Sequence, residues 1–263
     1  MAGVEWQTNG SQRNEIEQIM ETAWNITDVA LDAKEYILRP TNPWPAGGNT
    51  QVSGVFIYLV NVVSKMAIKQ MGASSRQTSF NAVDYYGVIL SWIVSKSKFR
   101  LHGNSFADIV LAKFHVACPP LFGIFGSENT AAGRQRLGWK DGMNNQTHYD
   151  NVNALAIGWG ALTLRDYTRM AGESSAFPAW YYWQTIACIV NVPPKQLTTT
   201  HGILLKGLID LYADKFIKFY GQAAIVALRQ ALIKLPGEAP ESAAFSKVEV
   251  VRDNLKKKYG LNL

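Results

Sequence analysis

Apolar residues recur at three- and four-residue spacing along most of this chain, and the recurrence breaks only at proline and glycine clusters. That spacing puts the apolar side chains on one stripe of an α-helix, whereas a half-buried strand would alternate with a period of two. It predicts nine helices, at about 13–38, 53–72, 78–95, 106–118, 150–168, 177–190, 198–220, 223–235 and 241–259. The only stretch that alternates, Val248 to Val251, is outweighed by charges at helical spacing on either side. No 34- or 40-residue repeat is visible, yet successive amphipathic helices with short connections pack as antiparallel pairs that stack. The expected fold is therefore all-α, an irregular α-solenoid of the HEAT kind. No linker-like segment interrupts it, so residues 1–263 read as one domain.

The most informative stretch runs from Ser105 to Lys140. Ser105 followed by Asp108 looks like a capping box, and Phe106, Ile109, Val110, Phe114 and Ala117 then mark an apolar helix face. Pro119 and Pro120 stop that helix, because proline lacks the amide hydrogen and its ring clashes with the preceding turn. Residues 121–145 show no helical period. A loop of that length in a compact domain is usually functional or disordered. Leu137 and Trp139 within it point to a loop pinned to the body. Further on, the threonines at 198–200 are placed to cap a long helix that Gly221 ends, and Pro236-Gly237 marks another break.

Catalytic chemistry needs converging groups, and the sequence offers none. His102, His115, His148 and His201 are far apart, and Cys118 and Cys188 lack the spacing of a zinc or redox pair. Both cysteines read as buried free thiols. Gly133 to Lys140 is not a phosphate-binding loop, because Gly138 is followed by Trp139 where that motif needs lysine. No signal peptide is expected, since Glu5, Glu15, Glu17 and Glu21 interrupt the first thirty residues. The best candidate for an apolar spanning run, Val52 to Val63, is too short to cross a bilayer. We expect an intracellular binding protein with no membrane segment.

The charge balance suggests an acidic partner, whether nucleic acid, an inositol or lipid phosphate, or an acidic protein face, without choosing among them. The chain carries a net +6, and most of that excess lies between Lys65 and Lys113. Lys65, Lys69, Arg76, Lys96, Lys98, Arg100 and Lys113 are opposed there only by Asp84 and Asp108. Lys65 and Lys69 are one helical turn apart and share a face. Lys113 falls at the edge of the next apolar stripe. Converging ammonium groups of this kind suit a polyphosphate, since charge-assisted hydrogen bonds are the strong ones. The four aromatics Trp180, Tyr181, Tyr182 and Trp183 point around the whole of their helix, which suits core and partner contact better than a nucleic-acid stacking platform.

Several blocks together resemble the helical domain of the GLE-one family, the GLFG-lethal mRNA export factors of the nuclear pore. They are Asp108, Leu111, Ala112, Cys118 and Pro119; Gly133 to Lys140 followed by Tyr149 and Asp150; Trp183, Ala187, Ile189, Asn191 and Pro194; Thr198, Thr200 and His201; and Tyr220, Gly221 and Ala223. The resemblance covers about residues 50–235. It implies a HEAT-like array similar to the middle domain of the large translation-initiation scaffold. It also implies a non-enzymatic partner of the DEAD-box RNA helicase of mRNA export, acting at the cytoplasmic face of the pore and in the cytoplasm. Such a domain holds the helicase lobes apart and stimulates ATPase turnover and RNA release. In fungal members inositol hexakisphosphate bridges the contact. Lys65, Lys69 and Lys113 are the expected ligand residues here, with Val116 and Ala117 standing where the family has a lysine pair. The resemblance further implies an FG-repeat nucleoporin on the same domain, which we place at the aromatic-rich helix with Trp183 as contact. A long N-terminal coiled-coil region of the family is expected to be absent from this chain. The competing reading is a helical-repeat protein that binds RNA directly with the same basic face.

Overall fold

The computed structural model describes residues 10–74, 80–168, 172–239 and 243–260. It is an irregular stack of helices. Helix α1 (Gly10–Asn25) lies on α2 (Gly54–Ser74), and α2 packs against α3 (Phe80–Ser95), α4 (Ala107–Ala117) and α6 (Asn145–Thr163). Helix α6 is clasped between α3 and α8 (Thr199–Tyr220), and α8 carries α9 (Gln222–Arg229) and α11 (Ala243–Tyr259) on its far side. Two further short helices, α5 (Ala131–Arg136) and α10 (Leu235–Glu238), and α7 (Trp180–Val190) complete the array.

The middle of the stack is α6, not the α4 segment that dominates the sequence pattern. Every residue from Ala154 to Thr163 is buried, so the helix is apolar all round, as a helix surrounded by others must be. Close approach is achieved with glycine. A methyl group on Gly87 of α3 would sit 2.5 Å from the Gly158 carbonyl oxygen of α6, so those two backbones meet directly. Aromatic clusters fill the rest. Trp24, Phe56, Phe99 and Phe106 occupy one end, Phe114, Phe122 and Trp159 the middle, and Tyr182, Trp183, Phe216 and Tyr220 the other end.

Several boundaries differ from the sequence reading, each for a physical reason. The helix expected over 13–38 ends at Asn25, and Ala30–Asp32 (β1) pairs antiparallel with Gln51–Ser53 (β2). The intervening Ile26, Thr27 and Val29 are β-branched and favour extended backbone. Tertiary pairing overrides their helical spacing. Ser105 and Asp108 do not cap α4, whose first residue is preceded by Phe106 without a side-chain cap. Ser105 Oγ donates to Val94 O at 2.6 Å, and Asp108 Oδ2 accepts the amides of Leu38 and Arg39 at 2.7 and 3.0 Å. The same polar side chains that suit a cap thus fasten the neighbouring segments.

Pro119 and Pro120 do end α4, and they open a 3₁₀ turn over Pro119–Phe122. The 121–145 segment holds the short helix α5, capped by Thr130 Oγ1 accepting from Gly133 N. Helix α6 starts earlier than expected because Asn144 Oδ1 accepts the Thr147 amide, and it stops at Thr163. The break expected at Pro236 is absent. A π-helical turn at Gln230–Lys234, with Leu235 N donating to Gln230 O, widens the helix just before the proline ring and lets the path continue to Glu238. Gly221 ends α8 at φ 54°, as expected. Val248 and Val251 are on the buried face of α11.

Candidate partner-binding surface

The structure sorts the basic residues of the 65–113 segment into three groups. Lys96 and Lys98 are neutralised by α1: Lys96 Nζ lies 3.3 Å from Glu17, and Lys98 Nζ lies 2.8 Å from Glu17 and 2.9 Å from Glu21. The hydrogen bond from Lys98, with Lys96 alongside, holds the Glu17 carboxyl below the ordinary range against the upward pull of burial. Arg100 is half-buried and donates to Ser95 O at 3.1 Å and to Ser174 O, so it is a structural strut; burial lowers its pKa. Arg76 lies outside the described residues. The third group is Lys65 and Lys69, exposed on α2, and Lys113, half-buried on α4. Among the described residues no carboxylate lies within 4 Å of these three.

Helices α2 and α4 run side by side in the same direction. Phe56 in the first turn of α2 meets Phe106 at the start of α4, with ring centroids 5.5 Å apart. Farther along, Met71 and Phe114 reach successive residues of α6, Gly158 and Trp159. The three lysines lie in the second halves of these two helices. Val116 on α4 and Met66 on α2 are 77% and 59% exposed. Ala117, next to Val116, is half-buried against the core.

Trp183 is half-buried, its ring 5.6 Å from Phe216 and 4.9 Å from Tyr220 of α8. It belongs largely to the α7–α8 packing. Tyr182 is fully buried and donates to Leu208 O at 2.7 Å. The exposed aromatic of α7 is Trp180, stacked on Tyr181 with centroids 3.8 Å apart. Four consecutive aromatics do face around the helix.

One constellation went unread in the sequence because its members come from three distant segments. Glu128 accepts from Thr200 N (2.7 Å), Thr200 Oγ1 (2.6 Å) and Tyr149 OH (3.1 Å). Arg134 Nε donates to Glu128 O, and its guanidinium lies over the Trp139 ring. Trp139 stacks on His148 at 3.4 Å, and His148 Nε2 is 3.3 Å from Thr200 Oγ1. The expectation that the loop is pinned through Leu137 and Trp139 holds, since Leu137 is fully buried. At the start of α8 the Thr198 amide donates to His201 Nδ1 at 3.0 Å. Burial pushes His148 down to about 3, with Arg134 adding to the effect, and burial pushes His201 down to about 4 against the opposing pull of Glu128. Both imidazoles are neutral in the fold. The signals that could have found this knot are the T-x-T-H block and the G-W-K block, whose side chains meet here.

Beside it lies a cleft of about 620 Å³ lined by Phe125, Glu128, Lys195, Leu197, Thr199 and Phe245, among others. Glu128 is engaged by three donors of the knot, Thr200 N, Thr200 Oγ1 and Tyr149 OH. Among the described residues no three histidine, cysteine or acidic side chains gather as a metal site would require. Cys118 is buried, its thiol pushed up to about 12 by desolvation, whereas Cys188 is only half-buried, contrary to expectation.

Comparison with known proteins agrees with this architecture. The family model described as GLE1-like protein matches residues 10–232. The mRNA export factor GLE1 of Chaetomium thermophilum is 36% identical over 266 residues, 97% of this chain and 50% of the relative. The mRNA export factor GLE1 of Saccharomyces cerevisiae is 24% identical over 174 residues, 64% of this chain and 31% of the relative. This chain thus spans half or less of the curated relatives it matches. Among solved structures, S. cerevisiae Gle1 bound to IP6 and the C-terminal domain of a Dbp5 variant superposes with a TM-score of 0.72 at 18% identity, covering 94% of this chain and 76% of the other. A second such complex, with a substituted Gle1, gives 0.69 at 17% identity and the same coverage.

Proposed function

Because this chain belongs to the GLE1-like family, we propose that it is the helicase-engaging helical domain of an mRNA export factor. It binds the DEAD-box RNA helicase of mRNA export at the cytoplasmic face of the nuclear pore. It favours an arrangement of the helicase lobes that speeds ATPase turnover and RNA release. A binding surface achieves this without chemistry of its own, by having higher affinity for one arrangement than for the other. Inositol hexakisphosphate is the tether, held by Lys65, Lys69 and Lys113, and an FG-repeat nucleoporin docks near the α7–α8 end that contains Trp183.

The observation that carries this reading is the unequal treatment of the lysines. The fold neutralises Lys96 and Lys98 with its own glutamates, while among the described residues no carboxylate pairs with Lys65, Lys69 or Lys113. The solved relative in complex with Dbp5 and IP6, of the same fold, supports it.

The test is an RNA-dependent ATPase assay of the helicase with and without this domain, paired with calorimetry against inositol hexakisphosphate. Stimulated turnover, and a binding heat that weakens in Lys65→Gln/Lys113→Gln, are expected. An unstimulated helicase together with tight, steeply salt-dependent RNA binding by the domain alone would transfer the basic face to nucleic acid.

A further inference from the structure

The Trp183 ring is taken up by Phe216 and Tyr220, so the aromatic that α7 offers to solvent is Trp180, 47% exposed in its first turn. Trp180 is firmly held. Its ring stacks on Tyr181, with the planes 23° from parallel, and Tyr181 in turn meets the buried Trp159 at 6.2 Å. A second exposed apolar side chain is tied to the same tyrosine. Leu38 is 74% exposed, and Arg39 beside it donates a side-chain hydrogen bond to Tyr181. Asp108 accepts the amides of both residues, which fixes their backbone with Leu38 turned outward. Arg39 is itself exposed, and among the described residues no carboxylate lies within 4 Å of it. An exposed leucine or tryptophan standing alone would need no explanation. Here the bond from Arg39 to Tyr181 and the stack of Tyr181 on Trp180 join three segments into one patch. Its tryptophan, tyrosine and arginine are the residue types that carry most of the energy in protein–protein contacts.

We propose that Trp180, Arg39 and Leu38 form the nucleoporin-docking patch of this domain, taking a segment whose phenylalanine packs on Trp180 and whose neighbouring carboxylate pairs with Arg39. Aromatic chemistry and charge select that occupant. An FG repeat brings a phenylalanine ring beside a glycine, whose lack of a side chain lets the segment approach the indole closely. The Arg39 guanidinium has no carboxylate of its own fold within ion-pair distance, so an acidic neighbour of that phenylalanine gains a charge-assisted bond. Leu38 adds apolar surface to the contact. A single-stranded nucleic acid would also stack on Trp180, but it would find one cation and an aliphatic side chain where its phosphates need several charges. The patch rests on the nucleoporin reading above and deepens it, moving the contact from Trp183 to the first turn of α7 and to the segment before α2.

The experiment measures the affinity of this chain for each full-length FG-repeat nucleoporin of the same genome by interferometry, at low and high salt. A labelled poly(U) oligonucleotide is titrated in parallel. Wild type is compared with Trp180→Ala, Leu38→Ser, Arg39→Gln and, as a control on an exposed aromatic of α2, Tyr58→Ser. Leu38 and Arg39 are exposed, so their variants report on the patch even where Trp180→Ala lowers the thermal melt. Nucleoporin binding is expected to weaken roughly thirtyfold in Trp180→Ala and about fivefold in Leu38→Ser. Arg39→Gln is expected to weaken it at low salt and to remove most of its salt dependence, while Tyr58→Ser binds like wild type. Nucleoporin affinity unchanged in Trp180→Ala, or unchanged in both Leu38→Ser and Arg39→Gln, overturns the patch while leaving the nucleoporin reading intact. A loss confined to the oligonucleotide does the same and hands the patch to nucleic acid. A wild type that binds none of the nucleoporins overturns both.

Discussion

His148 and His201 flank Thr200 at the start of α8, both buried and neutral, and this makes the fold sensitive to acid. An unfolded imidazole titrates near 6.5, whereas these do so only at about 3 and about 4. Between those values the unfolded chain binds protons that the folded chain refuses. Stability is therefore fully present above about pH 7 and falls as the pH drops, by roughly 1.4 kcal/mol per pH unit for each histidine. Urea unfolding at pH 7.5, 6 and 5 should show that decline, and a flat profile would mean the rings are solvated. Glu128→Gln removes the charge that three donors share; about 1–3 kcal/mol should be lost, with earlier proteolysis within 121–145. At this scale the sequence was legible in residue type and illegible in partner. Ser105 and Asp108 have the chemistry of a cap, but a hydroxyl and a carboxylate serve equally well for Val94, Leu38 and Arg39 once the fold brings those groups close. Likewise, seven basic residues looked like one cluster until Glu17 and Glu21 of α1 were placed against two of them.

Among the elements, α3 meets α6 backbone against backbone at Gly87 and Gly158. Gly87→Ala would place a methyl 2.5 Å from a backbone oxygen and 2.6 Å from the Ala161 methyl. The overpacking cost of about 1–3 kcal/mol exceeds the roughly 1 kcal/mol that alanine adds to helix propensity. Thermal melts should show net destabilisation, and a more stable variant would mean the two helices can separate freely. Helix existence was legible nearly throughout, because a core-facing stripe leaves a strong period. Helix ends were less so. The period continues past Asn25 into residues that pair as a strand, and it gives no hint that a π turn would carry α9 through Pro236.

At the scale of the whole molecule, helices contact mainly their neighbours in the stack, so stability should grade from its ends to its middle. Helix α6 is enclosed by α2, α3, α7 and α8, whereas α1 packs chiefly on α2 and β2, and α11 chiefly on α8. Amide hydrogen exchange should find α6 and the buried half of α8 exchanging only through global unfolding, with α1 and α11 opening at lower cost. Uniform protection would show a single cooperative unit instead of a stack.

The sequence by itself determined that the chain is a helical array, where the proline and glycine breaks fall in most cases, that charge gathers between Lys65 and Lys113, and which family the chain joins. Those follow from periodicity, backbone chemistry and residue order, all local properties. Only the tertiary structure decided that Glu17 and Glu21 neutralise Lys96 and Lys98, and that Glu128, His148 and Thr200 meet. Neutralisation and side-chain contact depend on distances between segments that lie tens of residues apart, and no local pattern encodes those distances.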